Sequence, residues 1–311
     1  MKKLNVVFMG TPDFSVPALE ILFQHPLVNL HSVVTMPDRK AGRGGKLASP
    51  PVAEFAKQNK LKLIQTENIN KEDDYLQELE TSKIDCIVVL AFAQFLGSKV
   101  LNLPAHGCFN IHTSLLPKYR GAAPIQYALL NDDEITGVSI QKMVKKMDAG
   151  DLVLSDKVTI SPTETGGQLF TRLKFQAALS LNRFVTMVLS NDLTFTKQDE
   201  SLVSFAPTLQ REDGHIKFKQ STRAQIINKK RAFTPWPGIY CSLNKKRLKI
   251  LELDKSEVSA GPGEIKFHKN NIIVGCQDGS LRLSYIQLEG KKACSDSDLI
   301  NGFKEEPSLG E

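Results

Sequence analysis

Short apolar runs of strand length alternate with stretches of helical periodicity through the first third of the chain, and this alternation limits the fold more than any other feature. Leu4 to Met9 reads as a strand and Pro17 to Phe23 as a helix with proline in its first turn. Further strands are expected at Val28 to Thr35, Leu61 to Gln65, Ile84 to Ala91 and Cys108 to His112. Helical stretches at Pro51 to Asn59 and Glu72 to Glu80 separate them. Strands that take turns with helices run mostly parallel, because each return must cross over a face of the sheet. The expectation is an α/β, Rossmann-like, mostly parallel sheet with helices on both faces.

A chain of 311 residues exceeds the usual ~100–200 per domain, so two domains are expected. Apolar residues at helical spacing, Leu169, Leu173, Ala177, Leu181 and Val185, predict a long helix over Thr165 to Leu189 that closes a first domain at 1–189. Polar residues then mark a linker at 190–207. From Pro207 the texture changes to short strands at Ile239 to Leu243, Leu248 to Leu253, Gly263 to Phe267, Asn271 to Cys276 and Leu281 to Leu288, with Asp278-Gly279 as a hairpin signal. Five such strands and one helix near Thr222 to Lys230 fit a small barrel at 208–311.

Several function classes are disfavoured. No Gly-x-Gly-x-x-Gly follows the first strand, and Pro12 removes a backbone donor that a pyrophosphate would use, which tells against a hydride-transfer enzyme. The five cysteines are scattered and odd in number, without Cys-x-x-Cys, so neither a disulfide framework nor a metal site is expected. That pattern fits a reducing cytosol, and Cys86 and Cys108 read as small core residues. The start, Met1-Lys2-Lys3-Leu4, briefly mimics a signal peptide but reads better as a first strand. The longest apolar run, Cys86 to Ala93, is far short of the ~20 residues of a membrane span. A cytoplasmic, monomeric protein is expected.

Chemistry concentrates in Asn110-Ile111-His112, where the two-residue period of a strand turns the amide and the imidazole to one face at the strand's carboxyl end. Ser114-Leu115-Leu116-Pro117 then breaks the extended chain, Gly121 permits a close backbone approach, and Pro124 opens a helix. Open α/β sheets hold ligands in such places. An isolated histidine on an apolar strand is ordinarily a hydrogen-bonded core residue. A second segment, Met147-Asp148-Ala149-Gly150-Asp151, follows an expected strand at Val138 to Val144 and brings a carboxylate within reach if the two strands are neighbours. Asn110, His112 and Asp148 suit acyl transfer to an amine. The amide and a protonated imidazole would stabilise the developing oxyanion, and the carboxylate would orient the ring and help remove the amine's proton.

These residues carry a resemblance. Asn110-Ile111-His112 with Ser114 to Pro117, Tyr119-Arg120-Gly121, Pro124-Ile125 and Asp148 to Asp151 resembles the 10-formyltetrahydrofolate-dependent formyltransferase family. Gly10-Thr11-Pro12-Asp13-Phe14, Pro37 to Gly44, and Arg231-Ala232-Phe233 with Pro235-Trp236-Pro237-Gly238 resemble its methionyl-tRNA branch. The resemblance implies transfer of a formyl group from 10-formyltetrahydrofolate to the amino group of methionine on initiator tRNA, for translation initiation, without a metal. It implies catalytic roles for Asn110, His112 and Asp148, folate contacts at Ser114, Leu115, Leu116 and Pro117, and an OB-like, tRNA-binding second domain. One departure stands out: where the family often has Lys-Leu followed by Lys-Glu-Asp-Gly and then Asp-Trp, this chain has Thr208 to Gly214 and Lys217-Phe218. The family's connector contacts to tRNA are therefore not carried over to these positions.

Charge is consistent with a nucleic-acid partner. The net charge of +6 is modest, but Arg211 to Lys249 holds eleven Lys or Arg against only Glu212 and Asp213. Asp296, Asp298, Glu305, Glu306 and Glu311 form an acidic tail. The Pro37 to Pro51 stretch is Gly- and Lys/Arg-rich, with too little apolar content to hold a shape alone. The resemblance implies that this loop enters the tRNA acceptor stem through Arg39, Lys40, Arg43 and Lys46, with Arg43 as chief contact. Trp236, between two prolines, reads as a structural corner. Two other readings remain at this stage: a sibling enzyme acting on a small amine, and a non-catalytic RNA-binding protein.

Overall fold

The computed structural model describes residues 3–41, 45–302 and 308–310. They form two units, one of Met1–Pro124, Ile135–Ile160 and Phe170–Pro207, the other of Ile125–Glu134, Ser161–Leu169 and Thr208–Glu311.

The first unit opens with β1 (Leu4–Gly10), α1 (Val16–Gln24) and β2 (Val28–Thr35), then β3 (Arg39–Ala41), β4 (Lys46–Ala48), α2 (Pro51–Gln58) and β5 (Leu63–Gln65). It continues through α3 (Asp73–Thr81), β6 (Cys86–Leu90), α4 (Ser98–Leu101), β7 (Gly107–His112) and β8 (Arg120–Gly121). After α5 (Pro124–Leu130), which past Pro124 belongs to the second unit, come β9 (Ile135–Lys142), β10 (Leu152–Thr159), α6 (Gly166–Leu189), part of the first unit from Phe170, and β11 (Phe205–Ala206). Seven of these strands make one sheet in the order β10-β9-β7-β6-β1-β2-β5. Five neighbours from β5 to β7 are parallel, while β9 lies antiparallel to β7 and β10 antiparallel to β9.

The chain builds outward from β1 in one direction and then returns to build outward in the other, so the carboxyl ends of β1 and β6 flank a topological switch. Helices cover both faces. Val7, Met9, Ile87, Val89 and Cys108 point to one side and pack with Tyr75, Leu76 and Leu79 of α3. On the opposite side Phe109 meets Phe184 of α6 with ring centroids 4.6 Å apart. Burying each such large apolar side chain stabilises the fold by roughly 1.5–3 kcal/mol. Asp73 and Asp74 lie in the first turn of α3, where the helix dipole favours negative charge.

The stretch expected to lack a shape of its own is instead a small β3–β4 hairpin, with Arg39 opposite Ala48, Lys40 opposite Leu47 and Ala41 opposite Lys46. Polar anchors at its base supply what apolar content does not. Gln65 Nε2 donates to Asp38 Oδ1 at 2.6 Å, and Lys57 Nζ donates to Ser49 Oγ at 2.9 Å. The Gln65 bond, followed by that of Ser49, holds the Asp38 carboxyl below its usual range. Arg43 lies outside the described residues.

The second unit contains α7 (Arg223–Ala232) and then β12 (Ile239–Leu243), β13 (Lys246–Ser256), β14 (Ile265–His268), β15 (Asn271–Cys276) and β16 (Gly279–Leu288). It ends with β17 (Cys294–Ser295), α8 (Asp296–Ile300) and β18 (Leu309–Gly310). The sheet is antiparallel, in the order β14-β15-β16-β13-β12-β18, with β17 beside β16. A capping box opens α7: Thr222 accepts from the Gln225 N–H, and the Gln225 side chain accepts from the Thr222 N–H. Asp296, read from sequence as part of an acidic tail, is instead fully buried. Its carboxylate accepts from Arg282 Nε and Nη2 at 2.8 and 3.0 Å, from the Ile272 N–H at 3.1 Å and from the Ser297 N–H at 3.0 Å. Glu305, Glu306 and Glu311 are outside the described residues.

All five cysteines are free. Cys86 and Cys108 are buried, and burial pushes both thiols up, Cys108 to about 12. Among the described residues no helix is long and apolar enough to cross a membrane.

Candidate active site

The regular pairing of β7 with β6 and β9 keeps β7 extended to its end, so Asn110 and His112 share the face of Cys108. β9 pairs with β7 in the register Asn110 to Gln141 and His112 to Ser139, and the turn that follows β9 swings Asp148 back over β7. The two strands are neighbours, as the carboxylate's approach requires.

Four groups converge on the Asp148 carboxylate. Oδ1 accepts from Gln141 Nε2 at 2.8 Å and from Asn110 Nδ2 at 3.3 Å. Oδ2 accepts from the Gly121 N–H at 2.9 Å and lies 3.7 Å from His112 Nδ1, within ion-pair reach but beyond a hydrogen bond. The other ring nitrogen, Nε2, sits 2.9 Å from the Tyr119 carbonyl oxygen. A carbonyl only accepts, so the proton resides on Nε2 and fixes the tautomer, leaving Nδ1 to face Asp148. The imidazole and the Asp148 carboxylate are both largely buried, with side chains 7% and 11% exposed, and Asn110 is partly exposed.

Asp148 adopts a left-handed backbone, φ 51°, which aspartate tolerates better than most residues. Its turn is closed by contacts that the sequence did not signal. Gln141 Oε1 accepts from the Gly150 N–H at 3.0 Å, and Gln198 Nε2 donates to the carbonyls of Asp148 and Gly150 at 2.8 and 2.7 Å. Gln198 Oε1 in turn accepts from Arg120 Nε and Nη2 at 3.1 and 2.8 Å. The fully buried Arg120 also donates to Glu200, which Lys146 engages from the other side. Arg120 first and Lys146 second hold the Glu200 carboxyl down at about 2. Gln141, Gln198 and Arg120 lie 7 to 80 residues from their partners, and no local periodicity marks them.

The Ser114 to Pro117 run forms the rim beside His112. Ser139 Oγ donates to the Ser114 carbonyl at 2.8 Å and accepts from the Leu116 N–H at 3.1 Å. Ser114 Oγ is committed to the Lys118 carbonyl at 2.6 Å, and the side chains of Ser114 and Leu116 are buried. Of the four residues expected to touch folate, only Leu115 and Pro117 keep partly open side chains. Arg39, Lys40 and Lys46 are exposed on the hairpin, and Arg39 lies 3.8 Å from Glu67. In the second unit Phe218 is buried, taking an apolar place in the stretch that departs from the family pattern, while Trp236 is half exposed.

Comparison with known proteins decides the family. Residues 2–185 match the formyl transferase family and residues 208–304 match the formyl transferase C-terminal domain. The methionyl-tRNA formyltransferase of Geobacter metallireducens is 40% identical over 310 residues, covering 99% of both chains. The chain belongs to the methionyl-tRNA formyltransferase family. That of Natranaerobius thermophilus is 39% identical over 306 residues, covering 96% of this chain and 97% of its own. Among solved structures, the sugar 3N-formyl transferase WlaRD, determined with dTDP and 5-N-formyl-THF, superposes with a TM-score of 0.67 at 18% identity, over 94% of this chain and 100% of that one. An N-formyltransferase from Helicobacter canadensis, in complex with folinic acid and dTDP-3-aminofucose, gives 0.65 at 18% identity, over 91% and 98%. At such identities these two share the fold.

Proposed function

We propose that this methionyl-tRNA formyltransferase moves the formyl group of 10-formyltetrahydrofolate onto the α-amino group of methionine carried by initiator tRNA, using Asn110, His112 and Asp148. The observation that carries the reading is the convergence of the Asn110 amide and the His112 ring on one carboxylate. Attack of the amine on the formyl carbon places negative charge on the formyl oxygen. Asn110 keeps a second Nδ2 hydrogen for that oxygen, since only one is directed at Asp148. His112 Nδ1, held in position by the Tyr119 carbonyl behind it, supports the same charge when protonated. Asp148 draws the proton from the attacking nitrogen and returns it to N10 of the folate as the tetrahedral centre collapses, so the C–N10 bond breaks and neutral tetrahydrofolate leaves. A preset donor at an oxyanion is worth roughly a hundred- to a thousandfold in rate.

The folate would lie along the Leu115 and Pro117 rim, an apolar edge with polar groups at one end, as a pterin requires. The backbone of Ser114 and Leu116 shapes this rim and their side chains brace it. Formyl transfer belongs to the first unit and tRNA binding to the basic stretch from Arg211 to Lys249 in the second unit together with the hairpin, through Arg39, Lys40, Arg43 and Lys46. The translation substrate implies a cytoplasmic site of work.

Mass spectrometry of methionine released from initiator methionyl-tRNA, after incubation with the protein and 10-formyltetrahydrofolate, should show formylmethionine. Under the same conditions Asn110→Ala, His112→Ala and Asp148→Asn should each lose about a hundredfold or more in kcat, with circular dichroism unchanged. A His112→Ala enzyme turning over near the wild-type rate would remove the proposed mechanism.

A further inference from the structure

Gln198 lies in the polar stretch after α6, fifty residues from the carboxylate it supports, and its hydrogen bonds go to Arg120, Gln141 and the Asp148 and Gly150 carbonyls. Its amide can sit in only one orientation. Arg120 has donors alone, so the amide oxygen must face it, and the carbonyls of Asp148 and Gly150 only accept, so the amide nitrogen must face them. Both hydrogens of Nε2 are thereby directed at the two peptide carbonyls that bracket the left-handed turn. Arg120 itself precedes Gly121, whose N–H donates to Asp148 Oδ2. One side chain therefore joins the backbone that carries the Asp148 carboxylate to the backbone that donates to it.

We propose that Gln198 is a positioning residue for formyl transfer, acting through the Asp148 turn and oriented by Arg120. The inference rests on the catalytic reading of Asp148 given above. The segment 190–207 thus carries part of the catalytic support: Thr196 bridges Leu152, Gln198 holds the turn, Glu200 accepts from Arg120, and β11 pairs with β8. Rotation of the Asp148 peptide would swing its carboxylate away from Nδ1, and the two carbonyl bonds of Gln198 oppose that rotation. A displacement near 1 Å at such a group costs on the order of a hundredfold in rate.

Two variants separate positioning from mere structural support. Gln198→Glu keeps an oxygen for Arg120 but sets its other oxygen against the two carbonyls. Gln198→Met keeps the volume and removes every hydrogen bond. Both should fold, bind 10-formyltetrahydrofolate normally by calorimetry, and lose about ten- to a hundredfold in kcat while KM for donor and tRNA stays within about threefold. The pH profile of kcat should shift as well, because the Asp148 to His112 geometry has changed. Should Gln198→Met fail to fold, Gln198→Glu alone decides. A folded variant with kcat within twofold of wild type and an unmoved pH profile would overturn the proposal, as would a loss confined to KM. Asp148→Asn, measured alongside, keeps the two ideas apart. If it is inactive while Gln198→Glu is normal, positioning by Gln198 fails alone; if it is active, the catalytic reading fails first.

Discussion

At the scale of single residues, backbone space controls this site as strictly as side-chain chemistry does. A Cβ added at Gly150 would lie 1.7 Å from the Lys142 carbonyl oxygen and 3.6 Å from Gln141 Oε1. The obstruction is backbone of β9, so it cannot rotate aside. Gly150→Ala must push the turn off β9, and its N–H bond to Gln141 goes with it. The expected cost is about 1–3 kcal/mol in stability and at least tenfold in kcat, read by urea unfolding and steady-state kinetics. Gly121 faces a similar limit: φ is +121° and an added Cβ would lie 2.7 Å from the Ala206 carbonyl oxygen. Sequence reading found the need for close approach at Gly121, because a glycine in a loop after a polar strand end has few other uses. The role of Gly150 is visible only when β9 is in place, since it depends on a partner that no local pattern names.

At the scale of elements, period and punctuation carry much of what was legible. Ile239–Leu243 and Asn271–Cys276 have the bounds their apolar alternation predicts, and α6 follows its spaced leucines. β7 follows its pattern too, so the two-residue alternation alone puts Asn110 and His112 on a shared face. Edge elements escaped. β10 mixes Ser155, Asp156 and Lys157 into its strand, and β3 and β4 are three residues each, so neither has a periodic signal to read. Polar contacts between distant segments escaped for a related reason. Asp296 looks like surface acid in the sequence, yet Arg282 on β16 draws it inside. Burial alone would raise this carboxyl, but Arg282 and the Ile272 and Ser297 N–H groups bring it below its ordinary 3.8. The ion pair therefore stabilises the fold fully above pH 3.8 and fades as pH falls through the lower native value. Asp296→Asn should destabilise the second unit by about 3 kcal/mol at pH 7, with the difference from wild type shrinking toward zero below that native value. Urea unfolding of both proteins across pH 7 to 2 checks the sign. A deficit that persists unchanged in acid would place the carboxylate's contribution elsewhere.

At the scale of the whole molecule, the question is which cations meet the acceptor. A net charge of +6 on 311 residues is too small to bind RNA by itself, so the patches must act locally. The hairpin exposes Lys40 and Lys46 with no acidic residue on either arm, whereas Arg39 lies near Glu67. If the two lysines each neutralise a phosphate, counterion release makes affinity fall with salt by roughly 0.7–0.9 in log–log slope per contact. Lys40→Ala with Lys46→Ala should then raise KM for methionyl-tRNA and reduce the magnitude of its salt slope by about 1.4–1.8, while Arg39→Ala should change it less because Glu67 already shares that charge. Donor binding should be untouched, since both lysines stand on the hairpin and neither belongs to the rim assigned to the folate. Kinetics from low to physiological salt read both quantities at once. A double variant with the wild-type slope would show that this hairpin does not contact the phosphate backbone, and would leave the cations of the second unit to carry acceptor affinity alone.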